Sequence, residues 1–147
     1  MKPFTLHAVS KFRNQLETRA LQELARAMEQ ERQLREVLET TSRKLEELYA
    51  GLQRDKEHGT TVDRLIMFDQ RIDLVQEELH KRKKALEKQR GQVAKKRQHL
   101  LQASKNRKII EKLEEQQNAA YKKHLDKLEA GMLDEIAVLS HEHKKSD

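Results

Sequence analysis

The side chains with chemistry to offer in this 147-residue sequence are 7 histidines and 25 carboxylates, and their spacing gives them little to do together. His141-Glu142-His143 is the one close pair of imidazoles. On a helix its i, i+2 spacing turns the two rings to different sides, so they do not converge on a metal ion. The 4 glycines, Gly51, Gly59, Gly91 and Gly131, are isolated, which excludes a glycine-rich phosphate loop. Absence of Cys excludes thiol chemistry and a disulfide framework, and fits a reducing compartment. Catalysis needs groups gathered in a dry pocket. Nothing here predicts one, so the expectation is a non-enzyme with no catalytic residue, no cofactor and no metal.

The remaining residues explain why. Charged residues make up 38% of the chain, aromatic residues 3%, and there is 1 Pro; mean hydropathy is −1.00. Glu, Lys, Arg, Gln, Leu and Ala dominate, the strongest helix formers and the composition of coiled coils. No stretch approaches the roughly 20 apolar residues of a membrane span. The opening Met1 to Val9 has no signal-peptide core, because Lys11 and Arg13 follow at once. A cytoplasmic protein without a transmembrane segment is expected.

Only His58-Gly59-Thr60-Thr61 reads as a break. It predicts helix A over about residues 5–57, a loop at 58–60 and helix B over about 61–143, with Thr60 capping helix B and Asp63 in its first turn. Leu24, Ala27, Glu31, Leu34, Leu38, Thr41, Leu45, Leu48 and Leu52 form a heptad stripe. Upstream, Val9, Phe12, Leu16 and Ala20 follow an eleven-residue pattern. In helix B, Ile72, Leu79, Leu86, Val93 and Leu100 recur every seventh position, with Arg82, Gln89 and Lys96 as polar members of the same seam. Ile110, Leu113, Gln117 and Tyr121 then begin a drifting stripe. One short loop between two long helices predicts an all-α, antiparallel coiled-coil hairpin with the second helix longer. Folding about Gly59 exhausts helix A near Glu114. Tyr121, Leu125, Leu128, Met132, Ile136 and Leu139 are left without an intramolecular partner, either as a frayed end or as a docking helix.

Charge is concentrated rather than diffuse. Lys81, Arg82, Lys83, Lys84, Lys88, Arg90, Lys95, Lys96 and Arg97 form a basic girdle, extended by Lys105, Arg107 and Lys108, against Glu87 alone. Such a girdle is either a solvated coiled-coil face or a surface for an acidic protein, anionic lipid heads or nucleic acid. The absence of aromatics among residues 81–108 argues against base stacking, and no specific nucleic-acid binding is expected.

Four segments in order then resemble the FliJ family: Phe4-x-Leu6-x-x-Val9-x-x-x-Arg13, Leu48-Tyr49, Arg107-Lys108-x-x-Glu111-Lys112-Leu113, and Leu133-Asp134-Glu135-Ile136-Ala137. Ser10 departs from the pattern, where a second aliphatic residue would follow Val9. The resemblance implies a soluble stalk of the bacterial flagellar export apparatus, a type III secretion machine. Its implied partners are the hexameric export ATPase, the membrane export gate and the export chaperones, with a peripheral position on the cytoplasmic face of the membrane. On that basis the unpaired stripe from Tyr121 to Leu139 is expected to meet the ATPase ring. The apolar surplus near the loop, Leu45, Tyr49, Phe68 and Val75, is expected to meet the gate. The equivalent stalk of a virulence injectisome, or a basic coiled coil organising nucleic acid or cytoskeleton, stays open.

Overall fold

The computed structural model describes residues 3–146, with side chains from Thr5 to Lys144. Two helices account for nearly all of it: α1, Pro3–His58, and α2, Val62–Ser146. They pack against each other antiparallel, so the expected all-α hairpin with a longer second helix is the observed fold. The side chain of Phe4, part of the first resembling segment, lies outside the described residues.

The loop is built from three local devices. His58, in the last turn of α1, folds its ring back along the helix end and donates from Nδ1 to the Arg54 carbonyl at 2.9 Å. Gly59 follows with φ of +88°, a conformation a side chain would oppose. Thr61 then caps α2: its Oγ1 accepts from the Arg64 amide at 3.3 Å, and Asp63 sits in the first turn against the helix dipole. The cap is therefore Thr61, not Thr60. Thr60 turns back instead, its hydroxyl donating to Asp55 at 3.2 Å.

Asp55 also receives Arg64 Nε at 2.6 Å and a second guanidinium nitrogen at 3.1 Å, tying the two helices together across the turn. Those bonds to Arg64, helped by Thr60, hold its carboxyl below the usual carboxylate range. A folded-state value depressed in this way contributes stability that is complete above the ordinary Asp range and is lost as pH falls through the depressed value. Thermal melts taken from pH 5 to strong acid should therefore show Asp55→Asn less stable than the parent at the upper end. The two should converge at the lower end; a constant gap would place the effect elsewhere.

By packing, the chain divides into two units. In the unit from Arg19 to Leu101, α1 turns inward Ala20, Leu24, Ala27, Glu31, Leu34, Leu38, Thr41, Leu45, Leu48 and Leu52, and α2 answers with Phe68, Ile72, Val75, Leu79, Arg82, Leu86, Gln89, Val93, Lys96 and Leu100. Both runs alternate steps of three and four, the heptad seam. Its tightest cluster joins Leu24, Ala27 and Val93, with Leu100 against it. The polar members are all used. Thr41 is buried and donates to the Val37 carbonyl one turn back at 2.9 Å. Gln89 Nε2 donates to the Ala27 carbonyl at 2.9 Å and to Gln30 at 3.1 Å. Lys96 reaches Glu23 at 3.2 Å, and Arg90 reaches Glu31 at 3.7 Å.

The unit combining residues 1–18 with 102–147 departs from the expected pattern. Leu6 and Ser10 are buried and Arg13 and Glu17 half-buried, while Phe12 is 54% exposed. The heptad is thus kept; of the expected eleven-residue pattern Val9, Leu16 and Ala20 are at least half-buried and Phe12 is not. Across from them Arg107 binds Glu17 and, at 2.8 Å, Glu111, and His7 meets Glu114 at 3.0 Å. The Arg107–Glu17 ion pair fills seam positions here that apolar groups fill in the other unit.

Candidate functional site

Three surfaces carry the residues that the sequence singles out. The first is the free length of α2. From Asn118 to Lys144 every described side chain is exposed, because no described side chain of α1 remains to cover them. Tyr121, Leu125, Leu128, Met132, Ile136 and Leu139 lie on one face, between 45% and 64% exposed. At 3.6 residues per turn they fall within an arc of about 80°, a continuous apolar stripe. Six bulky apolar groups bared in a row are what a monomeric surface avoids and a docking surface provides. Leu133 and Val138, exposed to a similar degree, fall outside the arc.

The second surface flanks the loop. Of the four residues expected there, Val75 is buried, Leu45 and Phe68 are half-buried in the seam, and Tyr49 is 45% exposed. Phe68 lies over Gly51: a Cβ added at that glycine would meet the ring at 3.1 Å. Gly51 is therefore the place where the aromatic ring enters a narrow two-helix seam. Tyr49 stands on the flank, its hydroxyl accepting from Gln76 Nε2 at 2.6 Å. Beyond Leu48 and Val75 a shallow groove opens, walled by Leu74, Lys44, Arg71 and Glu78. Val62, Ile66, Met67 and Leu74 add bare apolar surface that the expected set omitted. All four lie off the heptad seam of α2, which is the signal by which they are found.

The third surface is the basic girdle, and the fold absorbs part of it. Lys81 pairs with Glu77 and Arg82 with Glu78 along α2, while Arg90 and Lys96 reach across to α1. Lys83, Lys84, Lys88, Lys95 and Arg97 form no ion pair among the described residues. The unneutralised charge thus lies on the solvent side of α2, as a field rather than a site.

Among the described residues, no three His, Asp or Glu side chains gather as a metal site would require. No helix among them is long and apolar enough to cross a membrane.

The family model described as Flagellar FliJ protein matches residues 1–146. No curated protein and no solved structure matches the chain.

Proposed function

The chain belongs to the FliJ family, structural components of the flagellar protein export apparatus, and we propose that it is the stalk that binds and stimulates the hexameric export ATPase. The observation that carries this reading is the bare stripe from Tyr121 to Leu139 on a helix that has outrun its partner. A helix with one apolar face suits the bore of a protein ring, and burial of that face supplies the affinity. The unpaired lysines of the girdle lie before the stripe in α2 and would steer it toward an acidic rim, in a salt-dependent way. In this reading the loop end, led by Tyr49, meets the membrane export gate, and the stalk also serves the recycling of export chaperones. The protein would then work on the cytoplasmic face of the membrane, and its loss would abolish flagellar assembly, motility and chemotaxis.

The test is direct. Purified chain added to the export ATPase should raise ATP hydrolysis and saturate at a fixed ratio to the ring; no stimulation at saturating concentration would sink the reading. For the gate contact, Tyr49→Ala should weaken gate binding and leave the melting temperature unchanged, since the ring lies off the seam. Phe68→Ala should instead lower the melting temperature, since that ring fills the seam over Gly51. If Tyr49→Ala leaves gate affinity intact, the contact lies on another flank of the loop end.

A further inference from the structure

The apolar stripe on the free length of α2 has an internal symmetry. Its members, Tyr121, Leu125, Leu128, Met132, Ile136 and Leu139, step by four, three, four, four and three. Read from the other end, the steps are three, four, four, three and four. Turned end for end about residue 130, the stripe nearly superimposes on itself: Tyr121 comes level with Leu139, Leu125 with Ile136, and Leu128 with Met132. A helical face of this kind matches its own copy in antiparallel orientation, the requirement of a two-fold interface.

The charge along this length has the same sense, in its two halves rather than at the stripe's edges: at 3.6 residues per turn Lys123 and Asp134 fall on the face opposite the stripe. From Asn118 to Leu128 there are Lys122, Lys123 and Lys127 against Asp126; from Glu129 to Lys144 there are Glu129, Asp134, Glu135 and Glu142 against Lys144. Apart from His143, none of these residues or the histidines between them has an ion-pair partner among the described residues. Antiparallel pairing lays each basic half beside the other copy's acidic half, and brings His124 level with Glu135 on one flank. Parallel pairing would set acid beside acid and base beside base.

We propose that in the free protein this stripe is covered by the same stripe of a second copy of this chain, packed antiparallel about a two-fold axis near residue 130. The interface is one helix face on each side, with six large side chains apiece, so the dimer is small and reversible rather than obligate. It uses the residues assigned above to the ATPase ring, so dimer and docked stalk exclude each other. That exclusion rests on the docking reading; the dimer does not.

Sedimentation velocity of the full chain over a concentration series tests it. A monomer–dimer equilibrium is expected, weakening as salt is raised. Leu128→Lys with Met132→Lys should be monomeric throughout, at unchanged helicity, because both side chains are mostly exposed in the single chain. Reversing Lys122 and Lys123 to Glu should weaken the dimer by about tenfold at low salt, where charges off the contact face still act. Mixing that variant with one carrying Asp134→Lys and Glu135→Lys should restore it as a mixed dimer. Because the sequence has no Cys, a spin label at Ser140→Cys reports orientation without background. Ten residues on each side of the axis place the two labels about 30 Å apart, whereas a parallel pair would hold them near the interaxial distance of about 10 Å. A chain that stays monomeric, a dimer that survives the double Lys substitution, or the short label distance overturns the proposal. A monomer that still stimulates the ATPase removes the dimer and keeps the docking. A dimer whose stripe variants still stimulate removes the docking and keeps the dimer.

Discussion

A chain ending at Gln117 should fold as a hairpin and fail to stimulate the export ATPase. Gln117 is the last described residue of α2 that is not exposed, and the hydrogen bond between His7 and Glu114 across the two helices precedes it. Among the described side chains, removing residues 118–147 therefore takes away no contact of α1, and the cooperative melt should stay within a degree or two of the parent's. Helical signal should fall only in proportion to the residues lost. The effect on the ATPase is large because the stripe bares six bulky apolar side chains on one helix face. Burying one Leu, Ile or Met is worth roughly 1.5–3 kcal/mol. Four or five such burials outweigh the loss of freedom on association, which is on the order of 4–15 kcal/mol, only when most of them are made. The full-length double variant Leu128→Lys, Met132→Lys gives the same test without deletion. Losing two burials, and placing two charges in the docking face, should weaken binding by at least about a hundredfold. Stimulation that persists in both proteins at equal concentration would move the docking surface off the free length of α2.

Much of this was legible in the residues. The break at Gly59 and the stripe from Leu24 to Leu52 are strong signals, because a turn glycine and a leucine heptad have few other readings. The unpaired stripe followed by subtraction, since a helix of 56 residues cannot cover one of 85. What failed in the outer unit was the placing of Phe12 and Leu113, and it failed for one reason. Following apolar residues led to Phe12 and Leu113, which are exposed, whereas Val9, Leu16, Ile110 and Gln117 of the same reading are half-buried; the helix keeps its heptad phase and turns inward Ser10, Arg13 and Glu114 as well. A paired helix cannot change phase merely because a Phe lies one position away; the partner's geometry fixes which positions face it. Buried polar residues are then tolerated where they find partners, as Glu17 and Arg107 do. Arg13 shows the strain of that compromise, with a buried Nε that has no hydrogen-bond partner. The cap moved from Thr60 to Thr61 because two adjacent hydroxyls offer the same chemistry, and only the backbone path decides between them. The girdle was legible as charge, but not which of its members the fold neutralises.

Leu86→Ala should be the most damaging conservative change in the unit from Arg19 to Leu101. Leu86 is 4% exposed, among the most buried large side chains there. The register set by Gln89 beside Gln30, and by Lys96 beside Glu23, puts Leu34 level with Leu86. It likewise puts Glu31 level with Gln89, and Leu38 level with Arg82. The Leu34–Leu86 layer is therefore an apolar layer with a polar member on each side of it. Truncating a buried Leu to Ala costs about 2–5 kcal/mol in globular cores, and a two-helix seam has no third element to collapse into the space. Here the loss also joins two polar layers into one weak run, where water can enter between the helices. Urea titration should show a lower midpoint by an amount in that range. Hydrogen exchange should show local opening centred on residues 31–38 and 82–89, with the loop end around Asp55 and Arg64 still protected. Leu101→Ala, one position off the seam and 54% exposed, is the matched control and should change neither. If Leu86→Ala and Leu101→Ala unfold alike, the seam does not run through Leu86 and the register is wrong.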